Sequence, residues 1–415
     1  MRSWLSVALR TPELRRRLAF TAFVLSVYRL GAWVPAPGAN PSPNASSGGG
    51  SGLFSLLNLL SGSSLQRLSI FALGIIPYVT ASIIVQLLTA ALPWLEALQK
   101  EGEAGQARLN QFTRVATVGL AAAQATGYVY LFNQQGTIHV NLGRAVLIVV
   151  TLIAGTTLLM WLGEQITKRG IGNGVSILIF ASILAAAPTG IHAWTTGSPT
   201  EKLFFPLAAL GVLTAVVFFQ EGQRKIPIQY ARRVVGRREV GGGSTYMPLR
   251  VNSAGVVPVI FAAALLAVPP TLAGIVPSTA GFMNRHFQTG GYAYLLVEMI
   301  LILSFTFFYT AVQFNPIDQA DSLRRSGGYV PGVRPGPPTA FYLDRVLSRL
   351  TVFGGLFLAS VAVAPCLLVH YAGFSAATSR ALGGTSVLIV AGVALDAMRQ
   401  IEAQMVSRSY DGFLK

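Results

Sequence analysis

The stretch LFSLLNLLSGSSLQRLSIFALGIIPYVTASIIVQLLTAAL, residues 53–92, decides how this 415-residue chain is read. Its first apolar run, Leu53–Leu60, makes a helix of only about 12 Å at roughly 1.5 Å per residue. A bilayer's hydrocarbon core is about 30 Å thick, so this run is too short to cross it. A turn-forming Ser61-Gly62-Ser63-Ser64 follows, then an apolar run from Ile70 to Leu92 that is long enough. A half-length helix feeding a full-length one has to enter the membrane and turn within it. Non-helical backbone at that depth survives only inside protein or against water, because lipid offers its N–H and C=O groups no partner. The segment therefore predicts a membrane protein built around a cavity.

Composition agrees: 52% of residues are hydrophobic and 11% charged, against about 25% charged in a soluble domain. Apolar runs predict ten spans, near residues 17–34, 70–92, 112–132, 145–166, 173–188, 203–220, 254–270, 292–314, 350–371 and 384–403. An even number puts both termini on one side, and lysine and arginine counts test which side that is. The terminal side carries 25 of the 31. Only Arg29, Arg67, Arg144, Lys202, Arg285 and Arg380 fall opposite. Both termini are therefore expected in the cytoplasm. Arg2, Arg10 and Arg15–Arg17 precede a first apolar run without a small-residue cleavage site, so no cleavable signal peptide is expected. Division at the outer loop near Thr195–Lys202 gives two units, 1–200 and 201–415, of five spans each. An odd number per unit inverts one half relative to the other, a plan common among transport proteins. The expected fold is thus an all-α polytopic membrane protein in two inverted, pseudo-symmetric halves.

The net charge of +16 sits on the cytoplasmic side, and attraction to anionic lipid accounts for part of it. Two long loops ask for more. Loop 221–250 alternates basic with β-branched residues and prolines, which predicts an ordered, hairpin-like projection. Loop 315–349 is equally rich in turn residues. Long basic loops with turn chemistry suit a large anionic partner such as a ribosome, whose surface is phosphate.

Catalytic signatures are missing: there is no HExxH, no Walker loop, and the four histidines are scattered, so no metal and no cofactor is expected. An intramembrane enzyme lacks its constellation. GIGNG at 170–174 reads as a helix-start turn rather than half of a dinucleotide fingerprint. One cysteine, Cys366, excludes an internal disulfide. Ion-coupled carriers need ionisable groups near the midplane, and only Glu298 and Asp396 are placed for that. Three aliphatic pairs at i,i+4 share a helix face beside a Gly or Pro break: Ile75/Val79, Val175/Ile179 and Val256/Ile260. If those faces converge, they form an apolar constriction, which blocks ions and water by dewetting yet stretches around a passing chain.

The motifs SIFALGIIPYVTASIIVQLL (69–88), KEGEAGQARLNQFTR (100–114), MWLGEQITKRGIGNGVSILIFA (160–181) and YMPLRVNSAGVVPVIFA (246–262) carry a specific resemblance. FYTAVQFNP (308–316), GGYVPGVRPGPPTAFYLDRVLSRLT (327–351) and GGTSVLIVAGVALD (383–396) continue it in order over nearly the whole chain. Together they resemble the SecY/Sec61-alpha family of protein-translocation channels.

That resemblance implies an hourglass pore and a passive channel for unfolded secretory polypeptides, with membrane segments released sideways into lipid. It implies a pore ring of Ile75, Val79, Val175, Ile179, Val256, Ile260 and Ile389. It makes Leu53–Gly62, extending toward Leu68, a plug helix, whose apolar residues are Leu53, Phe54, Leu56, Leu57, Leu59 and Leu60. Thr80, Gln86 and Asn252 would line a lateral gate between the second and seventh spans. Arg334 in one cytoplasmic loop, and Arg232, Arg233, Arg237 and Arg238 in the other, would dock the SecA motor or the ribosome. SecE and SecG are the implied partner subunits, signal-bearing secretory and membrane proteins the substrates, and a bacterial inner membrane the location. Two departures stand out. The outer segment PAPGANPSPNASSGGGSG at 35–52 is low in complexity where the family carries a longer, more helical stretch, and is expected to be flexible. Positions 79 and 175 hold valine rather than isoleucine, which predicts a slightly looser closed ring.

Overall fold

The computed structural model describes residues 11–39, 61–62, 64–65, 67–134, 141–230, 233–235, 238–240, 243–266, 291–372 and 384–411. Within them run helices α1 (Pro12–Trp33), α2 (Ile76–Ala91), α3 (Pro93–Lys100), α4 (Glu103–Gln134), α5 (Leu142–Arg169), α6 (Gly174–Thr196) and α7 (Pro199–Glu221). Strands β1 (Gln223–Tyr230), β2 (Arg233–Val235), β3 (Arg238–Val240) and β4 (Ser244–Arg250) follow. Then come α8 (Val257–Leu266), α9 (Tyr292–Gln313), α10 (Pro316–Arg325), β5 (Gly328–Tyr329), α11 (Pro337–Ala372) and α12 (Gly384–Asp411). Each of the ten expected spans overlaps one of these helices. Among the described residues, α5, α7, α9 and α11 each hold a segment long and apolar enough to cross a bilayer alone. Helix α2 reaches that length only with α3, across a bend of 100°.

Three expectations are corrected in detail. The second span does not become helical at Ile70 but at Ile76, because Gly74 adopts φ +61° and Pro77 sits in the first helical turn. The described residues between Ser61 and Leu68 form turns, so the helix expected to extend toward Leu68 does not do so there. Segments 93–114 and 315–349, read as loops, carry α3, α10 and long extensions of α4 and α11. Asn315 caps α10, its Oδ1 accepting from Ile317 N at 3.0 Å, and Pro316 opens the helix without needing a donor.

The turns at 61–75 lie inside the protein. Leu65, Leu68, Phe71 and Leu73 are all buried in the main core. Their backbone is satisfied locally and by the chain after α1: Leu68 O accepts from Ala36 N at 2.8 Å, and Ile70 N donates to Val34 O at 3.0 Å. Ile70 O abuts α5 at Gly155, where any side chain would collide with it. Tyr28 of α1 shares a 2.6 Å hydrogen bond with Ser182 of α6 and stacks on Phe71. Non-helical backbone is therefore buried here with protein partners for its polar groups.

The loop 221–250 folds as expected. Strands β1 and β4 pair antiparallel from Gln223 opposite Arg250 to Gln229 opposite Ser244, with β2–β3 as a further antiparallel pair. The other basic loop joins them: β5 adds to β1 with Gln229 opposite Tyr329, giving the order β4-β1-β5. Beneath lies a small core of Ile226, Leu249, Val330, Leu343 and Val346. Alternate residues Ile226 and Ile228 point inward along β1, the period of a half-buried strand. Helices α2 and α8 pack across the middle of the molecule, and α6 and α12 pack beside them.

Candidate functional site

Two cavities meet where these helices converge. The first, about 310 Å3, is bounded by α2, α4, α5, α6, α8 and α9. Val79 from α2, Val175 from α6 and Ile260 from α8 all line it, so three of the expected ring residues share one wall. The second, about 380 Å3, lies between the start of α6, the end of α7, the turn at 251–256, α9 and α12. Val256 lines that one. The two cavities share Asn173, Ser176, Val257 and Tyr309.

The remaining ring residues line neither of these two cavities. Ile75, Ile179 and Ile389 are buried in the same core that holds Val79, Val256 and Ile260, with Val175 packed against it. Local chemistry places several of them. Asn173 caps α6, its Oδ1 accepting from Val175 N at 3.0 Å, so GIGNG is the helix-start turn that sequence predicts. Ile75 is the N-cap of α2 and reaches Gly163 of α5, where its Cδ1 lies in ordinary van der Waals range of the space a Cβ would take.

Of the three gate residues, Gln86 alone lines the first cavity, with Nε2 donating to Ser82 Oγ at 3.3 Å. Thr80 is buried and turns its hydroxyl back to Ile76 O at 3.0 Å. Asn252 belongs to the second cavity and ties the turn before α8, Nδ2 donating to Gly255 O at 2.9 Å. Arg334 is exposed in a loop whose carbonyl at the same residue accepts from Thr339 Oγ1 at 2.8 Å. Arg233 and Arg238 lie on the paired strands β2 and β3. Arg232 and Arg237 lie outside the described residues, as do Leu53, Phe54, Leu56, Leu57, Leu59 and Leu60 and the low-complexity residues 40–52.

Sequence reasoning missed the polar rim. Arg114 in the N-terminal part of α4 forks onto Glu164 of α5, Nε donating to Oε1 at 2.8 Å and a terminal nitrogen to Oε2. Both line the first cavity with Tyr78 and Lys168. The only signal was positional: the two charges fall at similar depth on consecutive antiparallel spans. Outside the membrane, on α3, Lys100 donates to Glu96 at 2.7 Å, and that bond holds the ammonium pKa above the ordinary lysine value.

Comparison with known proteins supplies the frame for this geometry. A family model described as SecY matches residues 69–398. The protein translocase subunit SecY of Mycobacterium bovis is 43% identical, covering 98% of each chain. That of Streptomyces coelicolor is 44% identical with the same coverage. A solved protein conducting channel superposes with a TM-score of 0.67 at 20% identity, covering 95% of this chain and 93% of the other. Sec61 from the canine ribosome–channel complex gives 0.64 at 18% identity, covering 95% and 93%. Those two structures share the fold.

Proposed function

The chain belongs to the SecY family, and on that premise we propose that it is the conducting subunit of a bacterial protein translocase. It passes unfolded secretory polypeptides across the membrane and releases hydrophobic segments sideways into lipid. The observation that carries this reading is the common wall of Val79, Val175 and Ile260, aliphatic side chains from three helices around one cavity. A polypeptide carries every side-chain type, so its conduit needs an apolar, deformable closure rather than a site for one side chain. Ile75, Ile179, Val256 and Ile389, buried beside that wall, complete the ring in this reading.

The lateral gate runs between α2 and α8, which pack directly on each other over the first cavity. Residues 1–200 and 201–415 form the two inverted halves. Supporting that division, successive helices pair in the same order in both: α2–α4, α4–α5 and α5–α6 in one, and α8–α9, α9–α11 and α11–α12 in the other. The stopper is the apolar stretch Leu53–Leu60. The sheet that unites the two basic loops is the docking platform for SecA or the ribosome, with Arg334 at its exposed end. Energy comes from those partners, and the chain itself performs no catalysis. SecE and SecG are its companion subunits, and the plasma membrane, with both termini cytoplasmic, its location.

The test is crosslinking of a jammed secretory precursor to single cysteines placed at Ile75, Ile179, Ile260 and Ile389. Labelling at all four establishes one axis; a precursor that reaches none of them removes the ring assignment.

A further inference from the structure

Charge patterning puts only six of the 31 lysines and arginines on the side away from the termini. Two of the six, Arg67 and Arg144, are exposed, and neither forms an ion pair among the described residues. They rise from the two flanks of one short turn. Val34 O accepts from Ile70 N, Leu68 O accepts from Ala36 N, and Pro35 bridges Ser69, so Arg67 borders the point where residues 37–38 turn away. Arg144, in the first turn of α5, meets that turn from the other side. Its Cβ and Cγ lie 3.9 and 4.0 Å from where a Cβ on Gly38 would stand. A cation is disfavoured at a helix N-terminus, so Arg144 does not serve its own helix.

The direction of Arg67 is fixed in advance. Its guanidinium carbon lies 4.1 Å from the centroid of the Trp33 ring, at the exposed end of α1. The next residue, Leu68, is fully buried at φ +44°, which L side chains rarely adopt. Its N–H donates to Leu65 O at 3.1 Å and its carbonyl accepts from Ala36 N at 2.8 Å, and these bonds hold the strained backbone in place. Around the two arginines the surface is apolar: Leu30, Leu142 and Val146 are all exposed. On a membrane span such aliphatic side chains face acyl chains, and a tryptophan at the end of the span marks the headgroup level. Arg29, one turn before Trp33 on the same face of α1, adds a third charge of the same sign. The chain itself supplies no counter-ion from residues 40–60, which contain neither Asp nor Glu. An acidic protein segment would meet the charge but make no use of the aliphatic surface beside it. A phospholipid meets both, its phosphate matching the guanidinium fork and its tails the aliphatic surface.

We propose that Arg67 and Arg144 hold the phosphate of an anionic glycerophospholipid in the leaflet away from the termini. Trp33 lies at its headgroup, and Leu30, Leu142 and Val146 lie along its chains. The site is on the face opposite the basic loops, where general attraction to anionic lipid is expected. It goes beyond the channel reading, since it requires only that the chain lie in a bilayer. Bound there, the lipid braces the turn after α1 against α5 and so steadies the buried segment that leads into α2.

The experiment uses the assembled translocase in phosphatidylcholine nanodiscs, in a Cys366→Ser background. A fluorophore is attached at Leu142→Cys or, as a control on another lipid-facing helix, at Leu207→Cys. Phosphatidylglycerol brominated near the top of its acyl chains is then added as a minor fraction of the lipid. Quenching should saturate at position 142 well below the fraction that quenches position 207. Arg67→Gln and Arg144→Gln should each weaken binding about fivefold, the effect of one basic side chain at a membrane surface. Arg67→Lys should restore most of it, and Lys202→Gln, at the start of α7, should change nothing. Equal quenching at 142 and 207 overturns the proposal, as does a signal at 142 that ignores both glutamine substitutions. A loss of the same size with Lys202→Gln would make the effect a diffuse surface field and overturns it too. Displacement of the lipid by soluble glycerol 3-phosphate or by polyglutamate also overturns it, reassigning the patch to a free phosphate or to an acidic protein.

Discussion

At the scale of single residues, the ring and its rim obey different physics. Ile75 and Ile260 are buried at 4% and 7% exposure, and in the channel proposed above they fill space so that water cannot thread the constriction. Replacing both with glycine should raise the ion conductance of the resting channel in planar bilayers; an unchanged leak would take these residues out of the seal. The Arg114–Glu164 pair is held by two hydrogen bonds, but Arg114 is 47% exposed and Glu164 16%. Solvent screening therefore limits its worth, and a double-mutant cycle with alanine at both positions should give a coupling of about 0.5–1 kcal/mol in thermal melts. Gly155 is the stricter position. A methyl there meets the Ile70 carbonyl, a main-chain atom that cannot rotate away. Gly155→Ala should destabilise by about 1–3 kcal/mol, measured by the same melts.

At the scale of elements, the sheet β4-β1-β5 makes one unit of two loops that α8 and α9 separate in the sequence. Gly328 sits so close to Tyr230 and Ile228 that an added Cβ lies 3.1–3.2 Å from them. Gly328→Val should therefore pry β5 from β1, and limited trypsin digestion should show cleavage after Lys225 and after Arg325 rising together. Acceleration at one loop alone would mean they fold independently. The β-hairpin and the α6 start were legible because each rests on local chemistry: alternation at Ile226 and Ile228, and a capping Asn173 between glycines. Helices α3 and α10 were not, since PWLEALQK and PIDQADSLRR carry too little apolar length to register as spans. The late start of α2 was hidden for another reason. Apolarity is continuous from Ile70, and only the positive φ at Gly74 and the position of Pro77 say that helix begins later. The β1–β5 contact and the Arg114–Glu164 pair are tertiary facts with no local signature.

At the scale of the whole molecule, charge and apolarity divide the labour. The side expected to carry both termini holds most of the basic residues, and the convergence of α2, α6, α8 and α12 holds the aliphatic ones. Among the described residues, Glu298, buried in α9, is the one buried acidic group that lines neither cavity. Glu298→Gln should change precursor translocation less than twofold, whereas an ion-coupled carrier would stop. Arg334→Glu should do the opposite, leaving the protein assembled but blocking motor-driven translocation in vesicles supplied with the motor. The buried turns at 61–75 carry one more consequence, and it concerns time. Their seat includes the bond between Tyr28 and Ser182, residues 154 apart in the chain. At a synthesis rate of about 5–20 residues per second, roughly 8–30 s pass between the making of the first and the arrival of the second. Until then Tyr28 has no Ser182 to bond, although Gly155, against which Ile70 rests, has already been made. The seat of the turns at the start of the chain is therefore completed only when the fifth long helix has been made.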